Sequence, residues 1–253
     1  MILDISAAWL AAVLLCSIRL SAMLLLAPVL QAMRMPLRVR AAFVLALSMA
    51  LVSGMRLAPA AAPADLPQLM NAAIGEASLG ALLGFGLFTA FAAFNFAGNL
   101  LDLQMGFNIA NLLDPITHAQ SPLLATLLGM LAVMLFFAVD AHHALLRGFA
   151  WSLERVPLGT SMASPQPALL AAQFGSLYAL GLMLAAPVLF CLFLIEIALA
   201  VLSRNLQQMN VFVLGAPIKI GAGLILLALC AGHIGSLAQR IFQSMFQFWE
   251  AVL

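Results

Sequence analysis

The strongest constraint in this sequence is a series of six long apolar runs separated by short polar segments. The runs cover residues 5–33, 41–58, 69–101, 123–146, 168–202 and 211–238. Only helices and closed barrels can cross a membrane, because an unpaired backbone group in hydrocarbon costs several kcal/mol. The runs lack the polar and apolar alternation of barrel strands. We therefore expect an all-α membrane protein with about six hydrophobic helical segments in a single domain, residues 1–253.

Composition leads to the same class of protein. Apolar residues make up 65% of the 253 residues and charged residues 8%, against roughly 45–50% and 25% in an ordinary soluble domain. This excludes a soluble enzyme or a secreted module. The net charge of +1 leaves no basic surface for nucleic acid, which is held by neutralising its phosphates. We expect a lipid membrane around the chain and no nucleic-acid partner.

Two of the runs, residues 69–101 and 168–202, are longer than a simple crossing requires. Roughly 20 helical residues span the hydrocarbon of a bilayer. Each run is therefore either a tilted helix that projects beyond the membrane, or a hairpin or kinked pair of helices. Pro187 lies in the middle of the fifth run and favours a break there. We expect kinked helices or hairpins in these runs.

Several ionisable side chains lie inside the apolar runs, where each is costly unless it faces protein or water. They are Arg19, Glu76, Asp140 with His142 and His143, Glu196 and His233. They could line a polar path through the protein. Alternatively they pair with one another or with a neighbouring subunit and fix the register of the helices. For Arg19 and Glu76 we favour pairing.

The group Asp140, His142 and His143 is the best candidate for a metal site in the sequence. Asp140 and His143 share one helix face, and carboxylate and imidazole are metal ligands. However, the sequence has no HExxH motif and no second cluster of such residues. We interpret the group as a helix end at a polar boundary and expect no metal site. The sequence also lacks a GxSxG elbow and a glycine-rich phosphate loop, so we expect no catalytic residue and no cofactor.

Small residues recur at the spacing that lets helix backbones approach closely. Gly80 and Gly84 form one such pair, and Ala93 and Ala97 form another, with Gly98 adjoining. An alanine-rich membrane chain also produces such pairs by chance. We interpret the pattern as a sign of tight helix assembly.

The segment between Gln104 and Asn111 combines apolar and amide side chains, with no charge between Asp102 and Asp114. Such a segment is neither a good lipid-facing helix nor a well-solvated loop. Irregular backbone at membrane depth is tolerated only where it is buried in protein or lines a cavity. The segment is therefore either a loop that re-enters a pore or a surface connection.

Two groups of residues, in this order, resemble the signatures of the FliR family of flagellar export-gate proteins, which is homologous to SctT-type injectisome subunits. The first group is Gly75, Glu76, Gly80, Gly84, Phe85, Ala97, Gly98, Asp102, Gln104, Gly106, Ala110, Asp114 and Pro115. The second is Ser203, Arg204, Gln208, Met209, Asn210, Val211, Phe212, Gly215, Pro217 and Lys219. The chain departs from the family at Gln207, where proline is usual, and at Ala141, where glycine is common.

The resemblance implies a structural, pore-lining subunit of the flagellar type III protein export gate, and no enzyme. Its partners would be FliP-type and FliQ-type subunits, with an FlhB-type subunit and FlhA nearby. Unfolded flagellar subunits would pass through the gate. The chain would lie in the bacterial inner membrane, in the flagellar basal body.

The resemblance also assigns roles to particular residues. A plug that closes the pore would contain Gly106, Phe107, Asn108, Ile109, Asn111, Asp114 and Pro115. Helix packing and assembly would involve Gly80, Gly84, Gly98, Arg204, Gln208, Asn210 and Lys219. An alternative from a different class is a secondary transporter that uses Asp140, Glu196 or the histidines as a coupling relay.

Overall fold

The computed structural model describes residues 7–28, 36–57, 65–107, 122–160, 166–205 and 211–253. Within these ranges the chain is almost entirely helical and contains no β-strand. In chain order the helices are α1 (Ala7–Leu25), α2 (Leu37–Met55), α3 (Leu66–Met105), α4 (Leu123–Ala138), α5 (Ala141–Arg155), α6 (Pro167–Asn205) and α7 (Val211–Val252).

The helices have the length and composition of membrane spans. In the described part of the chain, α1, α2, α3, α6 and α7 are each long and apolar enough to cross a membrane. The consecutive helices α4 and α5 qualify as a sixth span when they are counted together. The prediction of an all-α membrane protein with about six hydrophobic segments is confirmed.

The two longest apolar runs form uninterrupted helices. α3 has 40 residues and α6 has 39, so each is about 60 Å long at 1.5 Å per residue, roughly twice the thickness of the hydrocarbon. The hairpin expected within residues 69–101 is therefore wrong. Pro187 lies inside α6 without ending it, so α6 is not a hairpin either; a kink at Pro187 stays a prediction. A proline ring removes one backbone hydrogen bond, which membrane helices tolerate.

The fourth run, predicted as one segment over residues 123–146, is divided into two helices. α4 ends at Ala138, and Asp140 adopts a left-handed conformation with φ 55° directly before α5 begins. Few residues other than glycine adopt this conformation, and aspartate is among those that do so most readily. The helix end predicted at Asp140 is confirmed, whereas a continuous segment through residue 146 is wrong.

The last helix continues well beyond the apolar run that predicted it. The run ends at Ala238, but α7 extends to Val252. Beyond the run, polar residues alternate with a buried stripe at helical spacing: Ile241, Phe242, Met245, Phe248 and Trp249. The run ends where the helix becomes amphipathic, and the helix itself does not end there.

Contacts group the chain into two compact units, each assembled from separate segments. Unit 1 contains Met1–Thr89, Asp140–Gln173 and Ser244–Leu253. Unit 2 contains Ala90–Val139 and Phe174–Gln243. α3, α6 and α7 therefore contribute residues to both units.

The centre of unit 1 is Trp249, near the end of α7. Its indole N–H donates a hydrogen bond of 3.0 Å to the backbone carbonyl of Leu83 in α3. Its ring covers Gly86 of α3 and Gly148 of α5, where a Cβ would approach indole atoms to 2.8 Å and 2.5 Å respectively. Glycine at both positions lets α3 and α5 contact the indole directly, so the tryptophan holds three helices together.

The core of unit 2 includes a cluster of four phenylalanines contributed by three helices. They are Phe91 and Phe94 of α3, Phe136 of α4 and Phe242 of α7, and each of the four is at most 3% exposed. Their ring centroids lie 5.4–6.1 Å apart. Aromatic pairs at such distances contribute about 0.5–1.5 kcal/mol each beyond the area they bury. This cluster fixes α4 and α7 against α3 in unit 2.

Candidate functional site

The end of α3, directly before the candidate pore loop, is a well-formed helix terminus. Gly106 has φ 84°. Its N–H donates to the carbonyl of Leu103, and the N–H of Phe107 donates to the carbonyl of Asp102. These two bonds form a Schellman motif, in which glycine supplies the left-handed residue. Gly106, which the resemblance places in the plug, terminates α3 in the structure.

Asp102 connects the two ends of the loop. Its carboxylate is 1% exposed and accepts hydrogen bonds of 3.0 and 3.1 Å from the N–H groups of Leu124 and Ala125, in the first turn of α4. The first N–H groups of a helix have no partner within the helix, and Pro122, which precedes α4, provides no side-chain cap. Asp102 therefore acts as a remote N-cap that holds the start of α4 against the end of α3.

Replacing Asp102 with Ala is expected to destabilise the chain by about 1–2 kcal/mol, because two buried N–H groups lose their acceptor. Asp102→Asn keeps one acceptor oxygen and is expected to retain most of the stability. Hydrogen–deuterium exchange of the peptide covering Leu123 to Thr126 should be faster in Asp102→Ala than in the wild type. Equal exchange in the two proteins would show that the cap does not hold this turn.

Three helices are joined close to the same end of α3. The amide of Gln104 donates to Glu196 Oε2 of α6 at 3.0 Å, and Lys219 Nζ of α7 lies 2.9 Å from Glu196 Oε1. The Glu196 side chain is 50% exposed and that of Lys219 is 19% exposed. Lys219, predicted as a packing residue, thus pairs with Glu196, one of the candidate relay residues of the transporter alternative. The arrangement favours a structural role for Glu196, in which it joins α6 to α3 and α7.

The predicted small residues lie where helices approach to backbone contact. A Cβ at Gly98 would lie 2.6 Å from the backbone nitrogen of Ala125, within unit 2. A Cβ at Gly80 would lie 2.8 Å from the Cβ of Ala22, and one at Gly84 would lie 2.8 Å from the carbonyl oxygen of Met23, within unit 1. Real Cβ atoms do not approach so closely. These glycines permit packing within this chain; their role in assembly stays a prediction.

Arg19 and Glu76 form a buried ion pair in unit 1, as predicted, and both side chains are 0% exposed. The guanidinium also donates to the backbone carbonyls of Ser152 and Val156, each at 2.9 Å. The N–H of Gly159 donates to Glu76 Oε1, also at 2.9 Å. A buried ion pair is tolerated when such additional bonds satisfy its remaining donors and acceptors. The pair therefore fixes the end of α5 and the turn after it against α1 and α3.

Asp140, His142 and His143 come together at the start of α5. The imidazole rings of the two histidines lie 4.1 Å apart, and His143 Nδ1 lies 3.5 Å from Asp140 Oδ1. Their possible ligand atoms all lie within 4.8 Å of one another. The side chains of Asp140 and His143 are 74% and 64% exposed. The three residues therefore lie at a helix end, as the sequence predicted.

Several predicted site residues lie outside the described residues: Asn108, Ile109, Asn111, Asp114, Pro115, Gln208 and Asn210. Arg204 is exposed in the last turn of α6. The capping role of Asp102 was not predicted from the sequence. Two signals point to it: a carboxylate at the end of a long apolar helix, and a next helix that begins without a capping residue of its own.

Comparison with known proteins agrees with the resemblance in the sequence. The family described as bacterial export proteins, family 1, matches residues 10–245. The flagellar biosynthetic protein FliR of Escherichia coli is 30% identical over 93% of this chain and 90% of its own length. FliR of Bacillus subtilis is 34% identical over 68% of each chain. The Yop proteins translocation protein T of Yersinia pestis is 33% identical over 61% of each. Since the family match covers nearly all of the sequence, the chain belongs to the bacterial export proteins, family 1.

Proposed function

We propose that this chain is a structural, pore-lining subunit of the bacterial flagellar type III protein export gate. The observation that carries the proposal is the family match over residues 10–245. It is supported by relatives named as flagellar biosynthetic proteins. Relatives named for translocation and secretion apparatus support protein export as the general function.

The chain catalyses no reaction in this proposal. Its buried charged groups support a structural role, because Arg19 pairs with Glu76 and Asp102 binds backbone N–H groups. The transporter alternative is not favoured. One of its candidate relay residues, Glu196, is bound to Lys219 and Gln104.

The partners in this proposal are FliP-type and FliQ-type subunits, an FlhB-type subunit and FlhA, in the bacterial inner membrane at the flagellar basal body. Large apolar side chains on α6 support contact with lipid or with other subunits. They include Phe190, Phe193 and Leu194, which are 50–64% exposed. Unfolded flagellar subunits are the proposed export substrates.

Within this gate, the segment that follows Gly106 is the proposed pore plug. The proposal is supported by the contacts at the two ends of the loop. Asp102 holds the end of α3 and the start of α4 together, so the loop between them begins and ends at one place. The absence of charge from residue 103 to residue 113 also supports the proposal, since apolar side chains can seal a narrow path.

Deleting residues 108–111 tests the plug and leaves the Schellman motif at Gly106 intact. The assembled complex is expected to form in normal yield but to conduct small ions when it is reconstituted into planar bilayers, because part of the seal is removed. A matched deletion of residues 161–164, between α5 and α6, should leave the ion barrier unchanged. An unchanged barrier in the first deletion would contradict the plug.

Export itself tests the whole proposal. A strain that lacks this chain should release no flagellar subunits into the medium, and the wild-type chain should restore their release. If release continued without the chain, the proposed function would be wrong.

A further inference from the structure

A cleft of about 310 Å³ lies between α1 and α2, within unit 1. Its polar lining comes from Arg40, in the first turn of α2, and from the hydroxyls of Ser17 and Ser21 on α1. Its apolar lining includes Leu25, Leu37 and Leu45, which are 61%, 81% and 47% exposed. The cleft therefore combines a cationic end with an apolar wall that is open to the surroundings.

Arg40 lacks a counter-ion in the described part of the chain. Its Nη2 atom is buried without a hydrogen-bond partner, and no described carboxylate forms an ion pair with it. Arg19 on α1, by contrast, donates hydrogen bonds to Glu76 and to two backbone carbonyls. A buried donor without an acceptor costs about 1–3 kcal/mol, and more when it is charged. Arg40 therefore gives the cleft a positive charge that no described carboxylate neutralises.

The two serines restrict which anion fits. Ser17 Oγ donates to the carbonyl of Leu14 at 2.7 Å, and Ser21 Oγ donates to that of Ile18 at 2.9 Å. Because each hydroxyl proton is already used, only the acceptor lone pairs of the two oxygens remain. A ligand that carries hydroxyl donors beside its anionic group complements both the serines and Arg40.

The position of the cleft indicates a lipid. α1 and α2 are both candidate membrane spans. Arg40 lies one turn into α2, where a long basic side chain reaches the headgroup layer. Arg38 is exposed in the same turn and adds positive charge, which attracts anionic headgroups. The exposed leucines supply a surface for an acyl chain.

We propose that this cleft binds one anionic phospholipid with a hydroxylated headgroup, of the phosphatidylglycerol type. The phosphate accepts from the Arg40 guanidinium, the headgroup hydroxyls donate to Ser17 and Ser21, and an acyl chain lies against the leucines. This site is independent of the proposed export function.

The test is native mass spectrometry of the full-length chain, purified in mild detergent with any subunits that accompany it. Phosphatidylglycerol, phosphatidylcholine and inorganic phosphate are the three probes. We expect phosphatidylglycerol to bind in preference to phosphatidylcholine, and Arg40→Gln to weaken its binding about tenfold, through loss of a charge-assisted hydrogen bond. Arg40→Lys should retain most of the binding. Arg38→Gln, which removes the same charge outside the cleft, is the matched control and should weaken phosphatidylglycerol binding much less than Arg40→Gln does.

Ser21→Val leaves Arg40 in place and tests the same cleft if Arg40→Gln fails to fold. It is expected to weaken phosphatidylglycerol binding. Equal binding of phosphatidylglycerol by the wild type, Arg40→Gln and Ser21→Val would overturn the proposal. If those variants bound the lipid normally but recovered fewer partner subunits, the acceptor for Arg40 would be a partner carboxylate. Displacement of the lipid by inorganic phosphate at equal concentration would show a phosphate site without lipid preference, and would overturn the lipid assignment.

Discussion

Glu76→Leu is expected to lower the free energy of unfolding by about 3–5 kcal/mol, because it leaves the buried guanidinium of Arg19 without its counter-ion. Both side chains are 0% exposed, so water cannot replace the lost carboxylate. The N–H of Gly159 also loses its acceptor. Unfolding of the purified protein by dodecyl sulfate in mixed micelles, followed by tryptophan fluorescence, measures the loss.

The double variant Arg19→Met with Glu76→Leu is the control for this prediction. Removing both charges leaves no buried charge without a counter-ion. Replacing both members of a buried ion pair by apolar residues often changes the stability little. We expect the double variant to be more stable than Glu76→Leu alone. A single variant within about 1 kcal/mol of the wild type would contradict the importance of this pair, as would purely additive losses in the double variant.

Gly98→Ala is expected to cost about 3 kcal/mol, although alanine is the better helix former. The new methyl group would lie 2.6 Å from the backbone nitrogen of Ala125 and 2.7 Å from the carbonyl oxygen of Leu124. Backbone atoms cannot rotate away as a flexible side chain can, so α3 and α4 must separate. The separation also disturbs the cap that Asp102 provides to α4. The same unfolding titration measures the loss.

Gly175→Ala is the matched control, since it makes the same chemical change within a long helix. A Cβ at Gly175 meets nothing within 4 Å, so alanine there should be neutral or should stabilise by about 0.5–1 kcal/mol. Equal effects of the two substitutions would show that the approach at Gly98 does not constrain the fold.

The class of the protein and the number of its spans could be predicted because both depend on local composition. Each apolar run reports its own preference for hydrocarbon without reference to the rest of the chain. The lengths of the helices could not be predicted in this way. One long helix and a helical hairpin of the same sequence have the same hydropathy, as the 40 residues of α3 illustrate. A single proline such as Pro187 in α6 does not decide between the two structures unless the packing around it is known.

In the candidate site, too, some contacts could be predicted from local sequence and others could not. The pairing of Arg19 with Glu76 follows from the cost of leaving either charge alone in an apolar run. The bonds that Arg19 donates to the carbonyls of Ser152 and Val156 join residues more than 130 positions apart in the sequence. Such contacts depend on the tertiary arrangement of α1, α3 and α5, and no local pattern contains them.

The resemblance identified the residues at the base of the loop but did not predict the contacts that they make. Resemblance selected Asp102, Gln104 and Gly106 together. The structure adds that they cap a following helix, bind Glu196 and terminate α3 respectively. Capping over a separation of 22 residues cannot be read from periodicity, because the cap and the helix it serves belong to different segments.

The most direct test of the central claim is the intact mass of the assembly that this chain forms. The tagged chain is co-expressed with the FliP-type and FliQ-type subunits of the same organism and purified in mild detergent, and the mass of the intact particle is measured. The account predicts one defined assembly that contains all three proteins, and little recoverable chain when it is expressed alone. A stable monomer or homo-oligomer without the other two subunits would contradict it.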